Sequence, residues 1–172
     1  MPKSSKENKE VAKVWCEQLK PVVVVDIGVG QGTYSILCRE KGQKWIGVEA
    51  WAPYIEQFNL ESLYNKVVVG DINYLDLSLV HSKPDLVIIG DVLEHMDKSV
   101  AETLINKLLD WSKDVIISVP LKHLAQDAWQ GNFFEIHKDH WHHKEMVEFM
   151  GSNLVDTKTG KVLGYYLCRR SA

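Results

Sequence analysis

The sequence predicts an α/β fold: an open sheet with helices on both faces, mostly parallel, with an antiparallel C-terminal hairpin strand. Three observations carry this. Apolar runs alternate with longer helix-like segments from residue 11 to about 151, the order of a parallel sheet covered by helices. The runs show little polar alternation, as strands buried on both faces do. Beyond Gly151, two short strand-like segments meet at Thr159-Gly160, a tight antiparallel connection.

In chain order, Val11, Val14, Trp15 and Leu19 form the apolar face of an opening helix that Pro21 ends. Residues 22–27, 44–48, 67–69, 86–89 and 115–119 read as the parallel strands. The first of them runs through glycines into a helix, and Pro53 suits the first turn of another. Ala101, Leu104, Ile105, Leu108 and Leu109 recur at helical spacing behind Asp97, a residue type that caps helix starts. A loop rich in histidine and aromatics then leads to a helix with Met146, Val147, Phe149 and Met150, stopped by Gly151. Residues 154–157 and 162–168 are the closing hairpin. Residues 1–20 read as a tail, loose over its first ten residues, and a cover helix; residues 21–172 read as a single domain.

A chain of 172 residues buries a core without disulfides or a structural metal. Cys16, Cys38 and Cys168 lack the spacing of a zinc knuckle or a redox dithiol and read as reduced, buried thiols of a cytoplasmic protein. No apolar run approaches the length of a signal peptide or a membrane span. The formal net charge of −3 comes from interspersed acids and bases, without the positive stripe that tracks a nucleic-acid backbone. Lys3, Lys6, Lys9 and Lys13, diluted by Glu7 and Glu10, read as a solvated face.

The stretch VVVVDIGVGQGTYS places Gly28, Gly30 and Gly32 at the carboxyl end of the first strand, where open α/β sheets bind ligands. Glycine permits positive φ there and lets a ligand lie against the backbone. Glu49 ends the second strand about twenty residues on, where a carboxylate accepts both hydroxyls of a ribose. The third glycine comes too soon for a dinucleotide loop, and Gln31-Gly32-Thr33 lacks the lysine of a phosphate-binding loop.

The run DIGVGQGTYS, Glu49, the pair Gly70-Asp71 and the segment PDLVIIGDVLEHM together resemble the class I S-adenosylmethionine-dependent methyltransferases, particularly their small-molecule members. The resemblance covers roughly residues 22–120 and implies a Rossmann-like sheet, with residues 21–172 as the methyltransferase domain. It puts Asp26, Gly28, Gly30 and Gly32 around the methionine part of S-adenosylmethionine. Glu49 would hold the ribose, with Ala50 and Trp51 beside it. Asp71 would accept from the adenine amine, and Ile72 would supply a backbone contact and an apolar ring face. Asp91 stands at the edge of the crevice, either orienting the methionine ammonium through water or touching the substrate. Glu94 and His95 follow, His95 as a wall residue in preference to a base.

Asn132, Phe133, Phe134, Glu135, His137 and Trp141 resemble a segment that crosses the active-site mouth in such enzymes. His137 is the first and His140 the second choice for a substrate-facing histidine and general base, with a structural hydrogen-bonding role as the alternative for each. His137, His140, His142 and His143 invite a metal reading with Glu135 or Asp139. No second ligand cluster accompanies them, and the fifth strand ends in Val119-Pro120 without the carboxylate of magnesium-dependent relatives, so no metal is expected.

Gly90-Asp91-Val92-Leu93 stands where nucleic-acid amino-methyltransferases carry Asn/Asp-Pro-Pro-aromatic, which makes nucleic acid an unlikely acceptor. The expected reaction is in-line transfer of the methyl group to an oxygen or nitrogen of a small molecule or saccharide, with histidine base assistance open. The alternatives are a non-catalytic S-adenosylmethionine-binding regulatory module, or a protein or nucleic-acid methyltransferase. The short chain implies a pocket that is either open to a larger acceptor or closed by a second subunit in a homodimer. Trp129, Phe133, Phe134 and Trp141 either wall that pocket or plug the core edge.

Overall fold

In the computed structural model, seven strands run β1 (Val23–Ile27), β2 (Lys44–Glu49), β3 (Lys66–Val69), β4 (Leu86–Gly90), β5 (Asp114–Pro120), β6 (Leu154–Thr159) and β7 (Leu163–Cys168). The structure describes residues 7–122 and 125–171; Lys3 and Lys6 lie outside them. The strands form one sheet in the order β3-β2-β1-β4-β5-β7-β6. β1 to β5 pair in parallel, and β7 runs antiparallel to both β5 and β6. The order reverses between β1 and β4, so the loops leaving these neighbours diverge and open a crevice at their carboxyl ends.

Alternate residues of each central strand enter different cores. Val24, Ile88, Ile116 and Tyr165 face one layer, with α1 (Lys9–Leu19), α2 (Thr33–Cys38), α3 (Pro53–Gln57) and α4 (Leu60–Leu63). Val25, Ile89, Ile117 and Tyr166 face the other, with α5 (Leu77–Val80), α6 (Lys98–Trp111) and α7 (His143–Met150). Burial on both faces is why these strands read as continuous apolar runs. Each fully buried Val, Ile or Leu contributes about 1.5–3 kcal/mol before entropy is subtracted.

Helix α1 is integral to the core. It buries Lys9, Ala12, Trp15 and Cys16. Val14, expected on the apolar face, is exposed, because the buried stripe passes through Ala12 and Cys16 on its other side. Trp15 Nε1 donates to Asp156 Oδ2 at 3.0 Å, tying α1 to edge strand β6. Ahead of the helix, the Glu7 carboxylate accepts the backbone N–H groups of Lys161, Val162 and Leu163 at 2.7–2.8 Å, which caps the β6–β7 turn. These backbone donors hold the Glu7 carboxyl below its ordinary pKa.

Asp97 occupies the N-cap of α6 without a side-chain cap bond. Asp139 takes that role, its Oδ2 accepting the Lys98 N–H at 3.3 Å. Gly151 ends α7 at φ +50°, as the sequence indicates. The short helices α4 and α5 escape a sequence reading because four residues show no period. Cys16, Cys38 and Cys168 are unbridged and buried. Among the described residues, no helix is long and apolar enough to cross a membrane.

Replacing Trp15 with Phe removes one buried donor and leaves Asp156 able to hydrate. Urea unfolding is expected to show a loss of about 1–2 kcal/mol, and no loss would mean that the bond to β6 contributes nothing.

Candidate active site

A cleft of about 1090 Å³ opens at the carboxyl ends of β1, β2 and β4. Its floor is the loop after β1. Gly28 and Gly30 have φ of +69° and +49°, the left-handed region that costs other residues about 1 kcal/mol or more. A Cβ on Gly28 would sit 2.3 Å from Val92 Cγ2, whereas one on Gly30 would meet no atom within 4 Å. Gly28 is therefore demanded by packing against the loop after β4, and Gly30 leaves bare backbone in a wall of the cleft.

Glu49, at the end of β2, fastens this loop. Its Oε2 accepts the Gly30 N–H at 3.1 Å and its Oε1 accepts the Trp51 N–H at 2.8 Å. A carboxylate has about four acceptor sites, so capacity remains on both oxygens. Burial raises the Glu49 pKa, against the lowering effect of the two backbone donors. Ala50, Asp71 and Ile72 line the same cleft. Asp71 Oδ1 accepts from both the backbone and the side chain of Asn73 at 2.9 Å, a local turn that fixes the carboxylate at the end of β3.

Asp26 is placed differently. It is 1% exposed, and its Oδ2 accepts the Tyr64 hydroxyl at 2.6 Å. It sits under the loop and is not among the cleft-lining residues. Burial pushes its carboxyl up to about 7, against the Tyr64 bond and the charge of Lys9.

Asp91 follows β4 in the left-handed region, at φ +56°. Its Oδ1 accepts from Ser118 Oγ at 3.1 Å, and Ser118 Oγ also shares a hydrogen bond with the Tyr34 hydroxyl at 3.0 Å. Lys9 Nζ lies 3.9 Å from Asp91 Oδ2 and 5.3 Å from the Tyr34 ring centre. Lys9 is only 8% exposed and lines the cleft, which corrects its assignment to a solvated face. Its spacing of three from Ala12 was the available signal, masked by the neighbouring lysines. Burial lowers the Lys9 pKa, and Asp91 and Asp26 raise it.

The turn Leu93–His95 and the segment after β5 form the opposite wall. Glu94 is 3% exposed, and burial, reinforced by Asp91, drives its carboxyl well above the usual range. His95 is pushed down to about 4 by burial and by His137. The rings of His95 and His137 lie 4.9 Å apart, edge to face. Tyr54 donates to Glu135 Oε1 at 3.0 Å across the cleft.

His137 lines the cleft, but His140 does not; its Nε2 lies 3.2 Å from His142 Nε2 instead. The backbone from Ile136 to His142 is not helical, so a spacing of three does not bring His137 and His140 together. The aromatics divide in the same way. Trp141 is core and Trp129 lies outside the cleft lining, whereas Phe133 and Phe134 line the mouth, Phe133 at 71% exposure.

The sequence pattern of the methyltransferase domain family matches residues 25–110, half of the chain. The chain belongs to this family. It is a class I methyltransferase, and its cofactor is S-adenosylmethionine. No curated protein matches the methyltransferase in sequence. In fold it is similar to the N-terminal domain of EvdMO1 with SAH bound (12% identity; 97% of this chain and 82% of that one; TM-score 0.70). It is likewise similar to magnesium protoporphyrin IX methyltransferase (ChlM) from Synechocystis PCC 6803 with bound SAH (18%; 94% and 81%; TM-score 0.70). TehB from Haemophilus influenzae aligns at 12% identity over 97% of this chain and 64% of its own, with a TM-score of 0.73.

The methyltransferase's cleft suits its cofactor. The side-chain-free approach at Gly30 admits a ligand against the backbone, and the carboxylates of Glu49, Asp71 and Asp91 on the lining favour a cationic one.

Gly28→Ala should lower the unfolding temperature, because both its φ and Val92 oppose a side chain. Gly30→Ala should cost about 1 kcal/mol in stability while weakening S-adenosylhomocysteine binding by calorimetry; intact binding would place the ligand elsewhere. Asp26 holds a proton in the fold that the unfolded chain releases near 3.8. The resulting stabilisation is full below that value and lost as pH rises through about 7. The unfolding midpoint of the wild type should therefore fall relative to that of Asp26→Asn across this window, and parallel curves would show Asp26 charged throughout.

Proposed function

We propose that the enzyme transfers the methyl group to an oxygen or nitrogen of a small-molecule or saccharide acceptor held between the glycine loop and the 133–137 segment. The observation that carries this reading is the second wall of the cleft. Beyond the residues suited to the nucleoside, it continues past His137 to the exposed rings of Phe133 and Phe134. Such rings offer apolar faces to a flat or sugar-like acceptor. One structural neighbour, the EvdMO1 N-terminal domain, was crystallised in the presence of SAH and D-fucose. The interspersed surface charge of the chain argues against a nucleic-acid acceptor.

S-adenosylmethionine supplies an activated methyl group on a sulfonium. The chain's own residues bind, align and shield. Gly28 and Gly30 leave backbone for the methionine part, Glu49 accepts from the ribose hydroxyls, and Asp71 with Ile72 receives the adenine; Gly32, expected beside them, lies off the cleft lining, where a Cβ would meet Leu63 Cδ1 at 2.5 Å. Asp91, braced by Ser118 and Lys9, stands between the cofactor side and the acceptor side. Alignment of the acceptor lone pair provides most of the rate, and His137 orients a hydroxyl or takes its proton.

Glu49→Ala should weaken S-adenosylhomocysteine binding at least about tenfold, the loss of one charge-assisted hydrogen bond. His137→Ala should lower turnover of labelled S-adenosylmethionine with a metabolite extract while sparing cofactor affinity. Unchanged turnover would remove His137 from the reaction, and absence of any labelled product would remove the proposed transfer.

A further inference from the structure

The carboxylate of Glu94 is nine-tenths or more buried, yet its Oε2 has no hydrogen-bond partner among the described residues. Leaving such an oxygen bare costs about 1–3 kcal/mol or more, so its surroundings merit a search for what it receives. One ligand atom from each of Glu94, His95 and His137 lies within 4.8 Å of the others. Two donors about 2.1 Å from a shared ion are at most about 4.2 Å apart, so small side-chain adjustments complete the set.

The backbone holds this cluster in place. His95 Nδ1 lies 3.3 Å from the Ile136 carbonyl oxygen. With Nδ1–H donating there, Nε2 presents its lone pair, the arrangement that orients metal-binding histidines. The Glu94 carbonyl accepts the N–H groups of Lys138 and Asp139 at 2.8 and 3.2 Å. His137 is thus flanked on both sides by residues bonded to Glu94 and His95, and its own N–H donates to the Gln126 carbonyl at 3.0 Å. All three side chains line the cleft. The histidine-rich run directed attention to His140, His142 and His143, but the structure pairs His137 with residues about forty positions earlier.

The geometry points to a divalent transition-metal site formed by Glu94, His95 and His137, with its open coordination positions facing the acceptor. Two imidazole nitrogens and one carboxylate oxygen suit first-row ions better than magnesium or calcium, which prefer all-oxygen shells. This inference rests on the acceptor reading above and narrows it to an oxygen acceptor. With its lone pair on the ion, His137 orients the acceptor through the cation and is not the base; the cation binds the acceptor hydroxyl as a Lewis acid and eases loss of its proton to solvent through the open cleft. The new oxygen–methyl bond then forms as the methyl–sulfur bond breaks.

The test uses the full chain, stripped with a chelator and titrated with Co²⁺ alone, following visible absorption and equilibrium dialysis. One Co²⁺ per chain with ligand-field bands is expected. Glu94→Gln and His137→Ala should each weaken binding at least about tenfold while retaining S-adenosylhomocysteine affinity, which reports an intact fold. Absence of Co²⁺ uptake, or uptake indifferent to both substitutions, overturns the site. Methyl transfer that persists undiminished in chelator also overturns it, while leaving the proposed reaction standing. Co²⁺ bound through Glu94 and His137 in a chain that methylates nothing sustains the cation site and defeats the acceptor reading.

Discussion

One residue, through its side chain and its carbonyl, ties together the loops that follow the first three strands. The Glu49 carboxylate receives an N–H from Gly30, after β1, and another from Trp51, after β2. Its carbonyl receives the N–H of Gly70, after β3. Hydrogen bonds to a charged acceptor are each worth about 1.5–3 kcal/mol, and they add to the packing of Gly28 against Val92 and of Val29 in the core. The group proposed to hold the ribose is therefore also a structural rivet. Its orientation is set by the backbone before any ligand arrives.

The sheet was the most legible part of the sequence. Strands buried on both faces must be apolar throughout, so residues 22–27, 86–89 and 115–119 differ from the observed strands only at their ends. The closing hairpin was legible for a different reason, the turn chemistry at Thr159-Gly160. The glycine loop and Glu49 were found because backbone conformation and strand ends leave local signatures. Lys9 and the cluster of Glu94, His95 and His137 were harder. Their environment is created by contacts between segments far apart in sequence, and neither periodicity nor spacing records which loop crosses which. Asp26 shows the converse. It follows the family pattern in sequence, yet its carboxylate is occupied by Tyr64 beneath the loop.

The two walls of the cleft differ in how they are made. The cofactor wall is backbone and short acids anchored at strand ends, whereas the acceptor wall is rings and histidines on a segment of turns. That segment is tied to the rest of the fold by the bonds of Lys138 and Asp139 to Glu94, of His95 to Ile136, of Lys98 to Asp139 and of Tyr54 to Glu135. On the proposed reading, the nucleoside meets strand ends and the acceptor meets turns. A change in the turn segment leaves the sheet untouched.

The start of the chain is joined to its end by the three bonds that Glu7 accepts from the β6–β7 turn, and two residues later Lys9 reaches into the cleft. Trimming the first ten positions would delete no strand and no glycine. It would nevertheless unclasp the β6–β7 turn and withdraw an ammonium group from the wall beside Asp91, so the composition of the cleft depends on residues that precede every strand.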